Sequence, residues 1–311
     1  MHRAANRLAV TLGDPRGIGP EVTAAALADP RPDLTLVTVG AKGTMIEPDV
    51  AVGRWDGGSD AAAAGRLAGA AIERAIEMAL AGDVDGIVTA PIDKAALAAA
   101  DYTFPGHTEM LQTLSGVEEV AMMMAAEETA LGGALRVVLA TIHIPLSEVP
   151  AAVTAERLAS QTRMTHHALR ERWGIDVPRL ALCALNPHAS DGGLFGDQEA
   201  RVMTPVVAEL VGEGLRVAGP IPADTVFTRA LRGEFDAVIA PYHDVGMAAF
   251  KTASFGSGVN ITLGLPFVRT SPDHGTAMDI AGRGMADPSS MIEAVRTAAR
   301  LCSGPEPAPA E

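Results

Sequence analysis

Short β-type runs alternate with longer Ala-rich stretches along most of this chain, and that alternation limits the possible fold more than any other feature. Leu8–Leu12, Leu34–Val39, Gly86–Ala90, Leu135–Ile142, Leu180–Leu185, Ala237–Ala240 and Val259–Leu263 read as strands. Residues 60–81, 154–173, 197–213 and 288–301 carry helical patterns, and Gly19-Pro20-Glu21 opens a further helix with Pro at a favourable first position. Strand and helix in turn predict an α/β fold with helices covering the sheet. Glu47–Ser59 has turn signals without periodicity and reads as a loop. Residues 304–311 are Pro-rich and read as a disordered tail. With 311 residues, 48% of them hydrophobic, the chain can bury one large domain or two smaller ones around a cleft.

A formal net charge of -14 argues against nucleic acid or an anionic membrane surface as partner, although a few local cations can still hold a small anion. No run approaches the roughly 18 apolar residues of a membrane helix, and Met1–Val10 lacks the apolar stretch of a signal peptide. Two cysteines, Cys183 and Cys302, make no disulfide framework. Together these features lead us to expect a cytoplasmic chain.

Four histidines stand on short turns flanked by Pro or Gly: His107 in Pro105-Gly106-His107-Thr108, His143 before Ile144-Pro145, His188 in Asn186-Pro187-His188-Ala189, and His243 in Pro241-Tyr242-His243-Asp244. His143, His188 and His243 each follow a strand-like run. A residue just past a strand end faces the crevice where open α/β sheets bind ligands. Neutral imidazole is a common metal ligand, and three imidazoles leave positions open for substrate. Each histidine could equally be a turn or capping residue. Asp244 is either a further ligand or an orienter of His243.

A second group reads as an anion cradle. Lys251, Asn260 and Arg269 recur at nine-residue intervals, and His107 and Thr108 stand where a helix begins, with free backbone donors suited to phosphate. The alternatives are a solvated Lys251 and an Arg269 paired with Asp273. A third segment, His274–Pro288, contains Gly275, Gly282 and Gly284, which permit close approach to a ligand but also suit a plain loop. There is no Gly-x-Gly-x-x-Gly after the first strand and no Walker-type loop.

Taken together, Gly13-Asp14-Pro15 through Glu21, Gly106-His107-Thr108-Glu109, His143-Ile144-Pro145-Leu146, Asn186-Pro187-His188-Ala189, Pro222-Ala223-Asp224-Thr225, Tyr242-His243-Asp244 and Gly258-Val259-Asn260 through Gly282 resemble the 4-hydroxythreonine-4-phosphate dehydrogenase family. The resemblance covers nearly the whole chain. It implies the isocitrate/isopropylmalate dehydrogenase-like fold, with two α/β domains flanking a cleft. Residues 1–104 and 258–303 would carry the cofactor loop, and 105–257 the metal and substrate site and a dimer interface. It further implies His143, His188 and His243 as metal ligands, and His107, Thr108, Lys251, Asn260 and Arg269 as substrate contacts. Gly275, Thr276, Asp279 and Gly282 would bind NAD or NADP, with Lys251, Asp244 and Asp224 as candidate acid–base residues.

The implied cofactors are a nicotinamide and one divalent metal, Zn, Co, Mg or Mn. The implied assembly is a homodimer whose metal site is shared between subunits. The implied reaction is oxidative decarboxylation of 4-phosphohydroxy-L-threonine. Departures from the family pattern keep sister reactions open, on D-threonate or D-erythronate 4-phosphate or on a cis-dihydrodiol dicarboxylate: Val245 where Gln is usual, Ser190-Asp191 where many relatives have Gly-Glu, and an inserted look to Glu127–Gly133. A zinc-dependent hydrolase using the same three histidines is the competing reading from another class.

Overall fold

The computed structural model describes residues 6–29, 31, 33–104, 106–254 and 256–304; the segment 305–311 of the expected tail lies outside the described residues. Its contacts divide the chain into two units. The chain first builds β1 (Asn6–Thr11), α1 (Gly19–Leu27), β2 (Leu34–Lys42), β3 (Val50–Arg54), α2 (Ala61–Leu80), β4 (Gly86–Thr89), α3 (Lys94–Ala99) and α4 (His107–Ser115). It then builds the second unit from β5 (Ala121–Ala126), β6 (Leu135–Leu139), α5 (Val149–Ala152), α6 (Ala155–Trp173), β7 (Arg179–Cys183), α7 (Thr204–Gly212), β8 (Arg216–Ile221), α8 (Ala223–Leu231), β9 (Ala237–Ala240) and α9 (His243–Ser254). It returns to the first unit for β10 (Val259–Leu263), β11 (Val268–Pro272) and α10 (Ser289–Ser303).

In the first unit the strand order is β3-β2-β1-β4-β11-β10, parallel throughout except for the antiparallel pair β10/β11. Strands buried on both faces read as continuous apolar runs, which is why β1 and β4 were legible in sequence. The helix α2 shows how such an element is specified. Asp60 caps it by accepting from the Ala63 N–H at 3.0 Å, a contact worth about 1 kcal/mol. Ala64, Ala68, Ala71, Ile72, Ala75 and Ile76 then form the buried stripe at helical spacing. Gly65 lets α3 pack against this helix, since a Cβ there would sit 1.9 Å from the Ala96 carbonyl oxygen.

Several readings change, and strands β3, β8 and β11 stand outside the runs read as strands in the sequence. The stretch Glu47–Ser59 is not loop throughout: Val50 and Val52 alternate toward the core and form the short edge strand β3. Such a strand is too short for periodicity to reveal. The chain also crosses into the second unit after Val120, later than residue 104, because α4 seats Met110 and Leu111 in the core of the first unit beside Ile72 and Ile76.

The second unit has strand order β5-β6-β9-β7-β8, with only β5/β6 antiparallel. Its core joins Leu135, Val137, Leu139, Val238, Phe227 and Phe250. Met123 and Met124 are buried strand residues, as the apolar run suggests. Glu127 binds Arg136 at 2.5 Å and accepts from the Trp173 Nε1 at 2.8 Å, so the inserted-looking segment is tied to the sheet and to α6. Among the described residues no helix is long and apolar enough to cross a membrane.

Candidate functional site

Each unit collects polar residues at or beyond its strand ends, and the two collections are built differently. In the first unit a polar stripe runs across one sheet face. Thr262 lies opposite Arg269 in the β10/β11 pair, and Asn260 lies opposite Ser271 one step along on the same face. Thr89 of β4 is in line with them, and its Oγ1 accepts from Arg269 Nη2 at 2.7 Å, while Thr262 Oγ1 accepts from Nη1 at 3.0 Å. Arg269 is 1% exposed, and burial brings its pKa down to about 10, so it remains a cation at neutral pH. Among the described residues no carboxylate lies within ion-pair distance of it, and the alternative pairing with Asp273 is not made. A buried, uncompensated charge is costly unless an anion joins it.

Three of the orphaned polar atoms in this unit bear on that point. The Nε2 of His107, the Oδ1 of Asn260 and the Nε of Arg269 are all buried with no hydrogen-bond partner among the described residues. His107 opens α4 after the extended Gly106. Its burial, then the positive charges of Arg269 and Lys94, hold its pKa well below the ordinary histidine value. Lys94 stands close, its Nζ 3.7 Å from where a Cβ on Gly106 would lie. A helix N-terminus, a neutral imidazole, a lysine and a dry guanidinium therefore converge in charge and chemistry on an anion. Thr108 follows in the first turn of α4. Thr89, Thr262 and Lys94 were not singled out in sequence. The only signal was a threonine interrupting each apolar run.

The Gly-rich segment after β1 and the loop before α10 meet. Ile18 N–H donates to the Thr276 carbonyl at 2.9 Å, and a Cβ on Gly17 would sit 2.8 Å from the same oxygen. Glu21 then accepts from the N–H groups of Gly282 at 3.0 Å and Ala286 at 3.3 Å. Gly275, Thr276, Asp279 and Gly282 thus belong to a loop held from behind by the first helix, with Gly282 at φ 70. Beneath the Gly-rich segment, Arg16 binds the fully buried Asp14 at 2.7 Å and Asp93 at 3.0 Å.

In the second unit the register of β6 and β9 aligns Leu139 with Ala240, so the chain leaves both strands side by side. Thr141 Oγ1 ties the two exits by donating to the Pro241 carbonyl at 2.8 Å. His143 and His243 emerge there with ring centroids 5.5 Å apart. They line, with Tyr242 and Asp244, an open pocket of about 220 Å³. Asp244 Oδ1 is 2.8 Å from His243 Nδ1. Among the described residues no third histidine, cysteine or acid joins these two in a metal-holding group. His188 stands on its own exposed turn after β7, in a run of left-handed residues from His188 to Gly192. Outside glycine such conformations cost on the order of 1–3 kcal/mol each and concentrate at functional sites. Lys251 lies two turns after His243 on α9, and Asp224 is exposed in the first turn of α8. Val245, where the chain departs from the family pattern, packs against the core of this unit.

A family model described as pyridoxal phosphate biosynthetic protein PdxA matches residues 19–298. Among similar proteins, a 4-hydroxythreonine-4-phosphate dehydrogenase of Paracoccus denitrificans is 46% identical over 320 residues, covering 96% of this chain and 98% of the relative. A Bradyrhizobium diazoefficiens protein, provisionally named a D-threonate 4-phosphate dehydrogenase, is 42% identical, covering 96% and 97%. Among solved structures, a 4-hydroxythreonine-4-phosphate dehydrogenase from Klebsiella pneumoniae superposes with a TM-score of 0.81 at 36% identity, covering 96% of this chain and 99% of that one. The fold alone is shared with isocitrate dehydrogenase from Methylococcus capsulatus, with a TM-score of 0.51 at 16% identity, covering 93% and 84%.

Proposed function

Because the chain belongs to the PdxA family of pyridoxal phosphate biosynthetic proteins, we propose that it oxidises the C3 hydroxyl of 4-phosphohydroxy-L-threonine with a nicotinamide and a divalent metal ion. The resulting β-keto acid loses carbon dioxide to give 3-amino-2-oxopropyl phosphate. The observation that carries this reading is the histidine pair at the exits of β6 and β9. A histidine whose Nδ1 donates to a carboxylate, as His243 does to Asp244 at 2.8 Å, offers a neutral Nε2 lone pair to a metal. The pair fits two positions of such an ion: His143 and His243 would hold it from one chain, and we assign the third position to His188 of a second copy of the chain. When bound, the metal supplies Lewis-acid polarisation of the substrate oxygens and the nicotinamide accepts the hydride.

The remaining work falls to the chain's own residues. Arg269, His107, Thr108 and Asn260 of the first unit hold the phosphate and so orient the reacting carbon. The orphaned donors and acceptor of the sheet face support that role. Asp244 is engaged with His243, which leaves the hydroxyl proton to Lys251 or Asp224. The loop through Gly275, Thr276, Asp279 and Gly282 holds the nicotinamide cofactor, with Glu21 fixing its backbone. A chain with only two cysteines, Cys183 and Cys302, suits a reducing compartment, and we assign the reaction to the cytoplasm.

The relative provisionally named for D-threonate 4-phosphate favours a second reading, in which a hydroxyl replaces the amine at C2 and the phosphate stays. The test is nicotinamide absorbance on a panel of both substrates with metal-loaded protein, together with a mixing experiment. His143→Ala and His188→Ala chains are each inactive alone; refolded together they recover up to about a quarter of parental activity if each site draws on two copies. No recovery would overturn the shared site.

A further inference from the structure

The turn that carries His188 is held by a residue to which no role has been given. His188, Ala189, Ser190 and Asp191 have φ of 53°, 53°, 71° and 43°, followed by Gly192 at 67°. Four side-chain-bearing residues in succession in this region persist only where the surroundings over-determine them. Glu199 provides that constraint. It is 3% exposed and opens a π-helical turn (Glu199–Met203) before α7, a local form that recurs at functional positions. Its Oε1 accepts from the backbone N–H of Leu185 at 2.9 Å and of Asn186 at 2.6 Å. Its Oε2 accepts from Asn186 Nδ2 at 2.9 Å and from the Ser190 hydroxyl. Two carboxylate oxygens offer about four acceptor sites, and all four are filled from residues on both sides of His188, with none from His188 itself. Gln198 adds a contact, its Oε1 accepting from Asn186 Nδ2 at 2.8 Å.

The geometry points to Glu199 as the positioning residue that presents His188 to the divalent metal. The buried carboxylate fixes the chain before and after the histidine while leaving the imidazole exposed. The bonding also explains why an acid is needed there. Every neighbour is a donor, so an amide at this position would set its own N–H₂ against the Asn186 and Ser190 donors or the two backbone N–H groups. This inference rests on the assignment of His188 as a metal ligand.

The test titrates cobalt(II) into metal-free full-length protein by calorimetry, for the parent and for Glu199→Gln, Ser190→Ala and His188→Ala. Thermal melts and inorganic phosphate binding are measured on each. Glu199→Gln is expected to weaken cobalt binding by about 10- to 100-fold, with phosphate binding unchanged and kcat recovering at saturating cobalt. Ser190→Ala removes one of the four bonds and is expected to weaken it roughly fivefold; it decides the matter if the glutamine variant gives no cooperative melt. Loss of cobalt binding in His188→Ala, with parental binding in a folded Glu199→Gln or in Ser190→Ala, overturns the positioning role alone. Parental binding in His188→Ala overturns the ligand assignment and the inference with it.

Discussion

The polar face of the first unit and the histidine turns of the second are made to opposite designs. Arg269, Thr262 and Asn260 sit on strands, their geometry fixed by ladder register and their polar atoms buried within one chain. His143, His188 and His243 sit on exits and turns, where register brings only the first two together. The buried polar face is preorganised: its desolvation has already been paid for in folding, and an anion seated there as proposed would relieve it. The histidine set is loose and depends on what completes it. Burial thus supplies affinity in one region and leaves the other adjustable.

The largest effect that would sharpen this contrast comes from Arg269→Met. If this buried charge meets the phosphate as proposed, its loss is expected to lower kcat/KM by about 2–5 kcal/mol, on the order of 30- to 5,000-fold. Cobalt affinity should remain parental. If metal binding falls as far as turnover, the two regions are not separable in this way. Dilution probes the other side. If the metal set needs a second copy, metal affinity should weaken as the chain is diluted through its dimer dissociation constant, while phosphate binding should not change with concentration; equal loss of both would break the comparison.

A smaller effect is expected from His107→Gln. The folded imidazole is held well below its ordinary pKa, by burial first and then by Arg269 and Lys94. The unfolded ring takes its proton below about pH 6.5, so the unfolded state binds more protons there and stability falls as pH drops from that value. In His107→Gln the acid limb of a stability–pH curve should be shallower, and an unchanged slope would show that the ring is not held neutral. Smallest is Ala189→Gly. Relief of φ 53 is expected to add up to about 1 kcal/mol of stability while loosening the turn, so the melting temperature should rise as cobalt affinity falls. A rise in both would remove the link between strain and function.

Much of the architecture was legible because strands buried on both faces and Ala-rich helices differ so plainly in pattern. The edge strand β3 escaped because five residues with two inward valines carry little signal, and β8 and β11 escaped because Gly219-Pro220 and Arg269 interrupt their apolar runs. The places of His143 and His243 just past β6 and β9 were legible as strand exits, whereas the burial of Arg269 on β11 was not. Nor were their supporting residues. Thr89 meets Arg269 across 180 positions of sequence, Glu21 meets Gly282 across 261, and Glu199 matters only once the turn at Asn186–Gly192 is in three dimensions. Pairings of that kind are created by strand order and loop closure, which no local pattern encodes.

The order in which the chain visits its two units has a consequence for synthesis. Ala121–Gly258 is continuous and holds β5 to β9 with the core they share, so it can close that core as soon as it emerges. The first unit cannot. Its strand β4 waits for β11, made only after the whole of the other unit. Until then one side of β4 is an open template for another strand. The ribosome therefore finishes the histidine-bearing unit first, and the strands carrying Asn260 and Arg269 arrive last. An anion present during synthesis would act as a folding ligand at the final step, drawing the late strands into register.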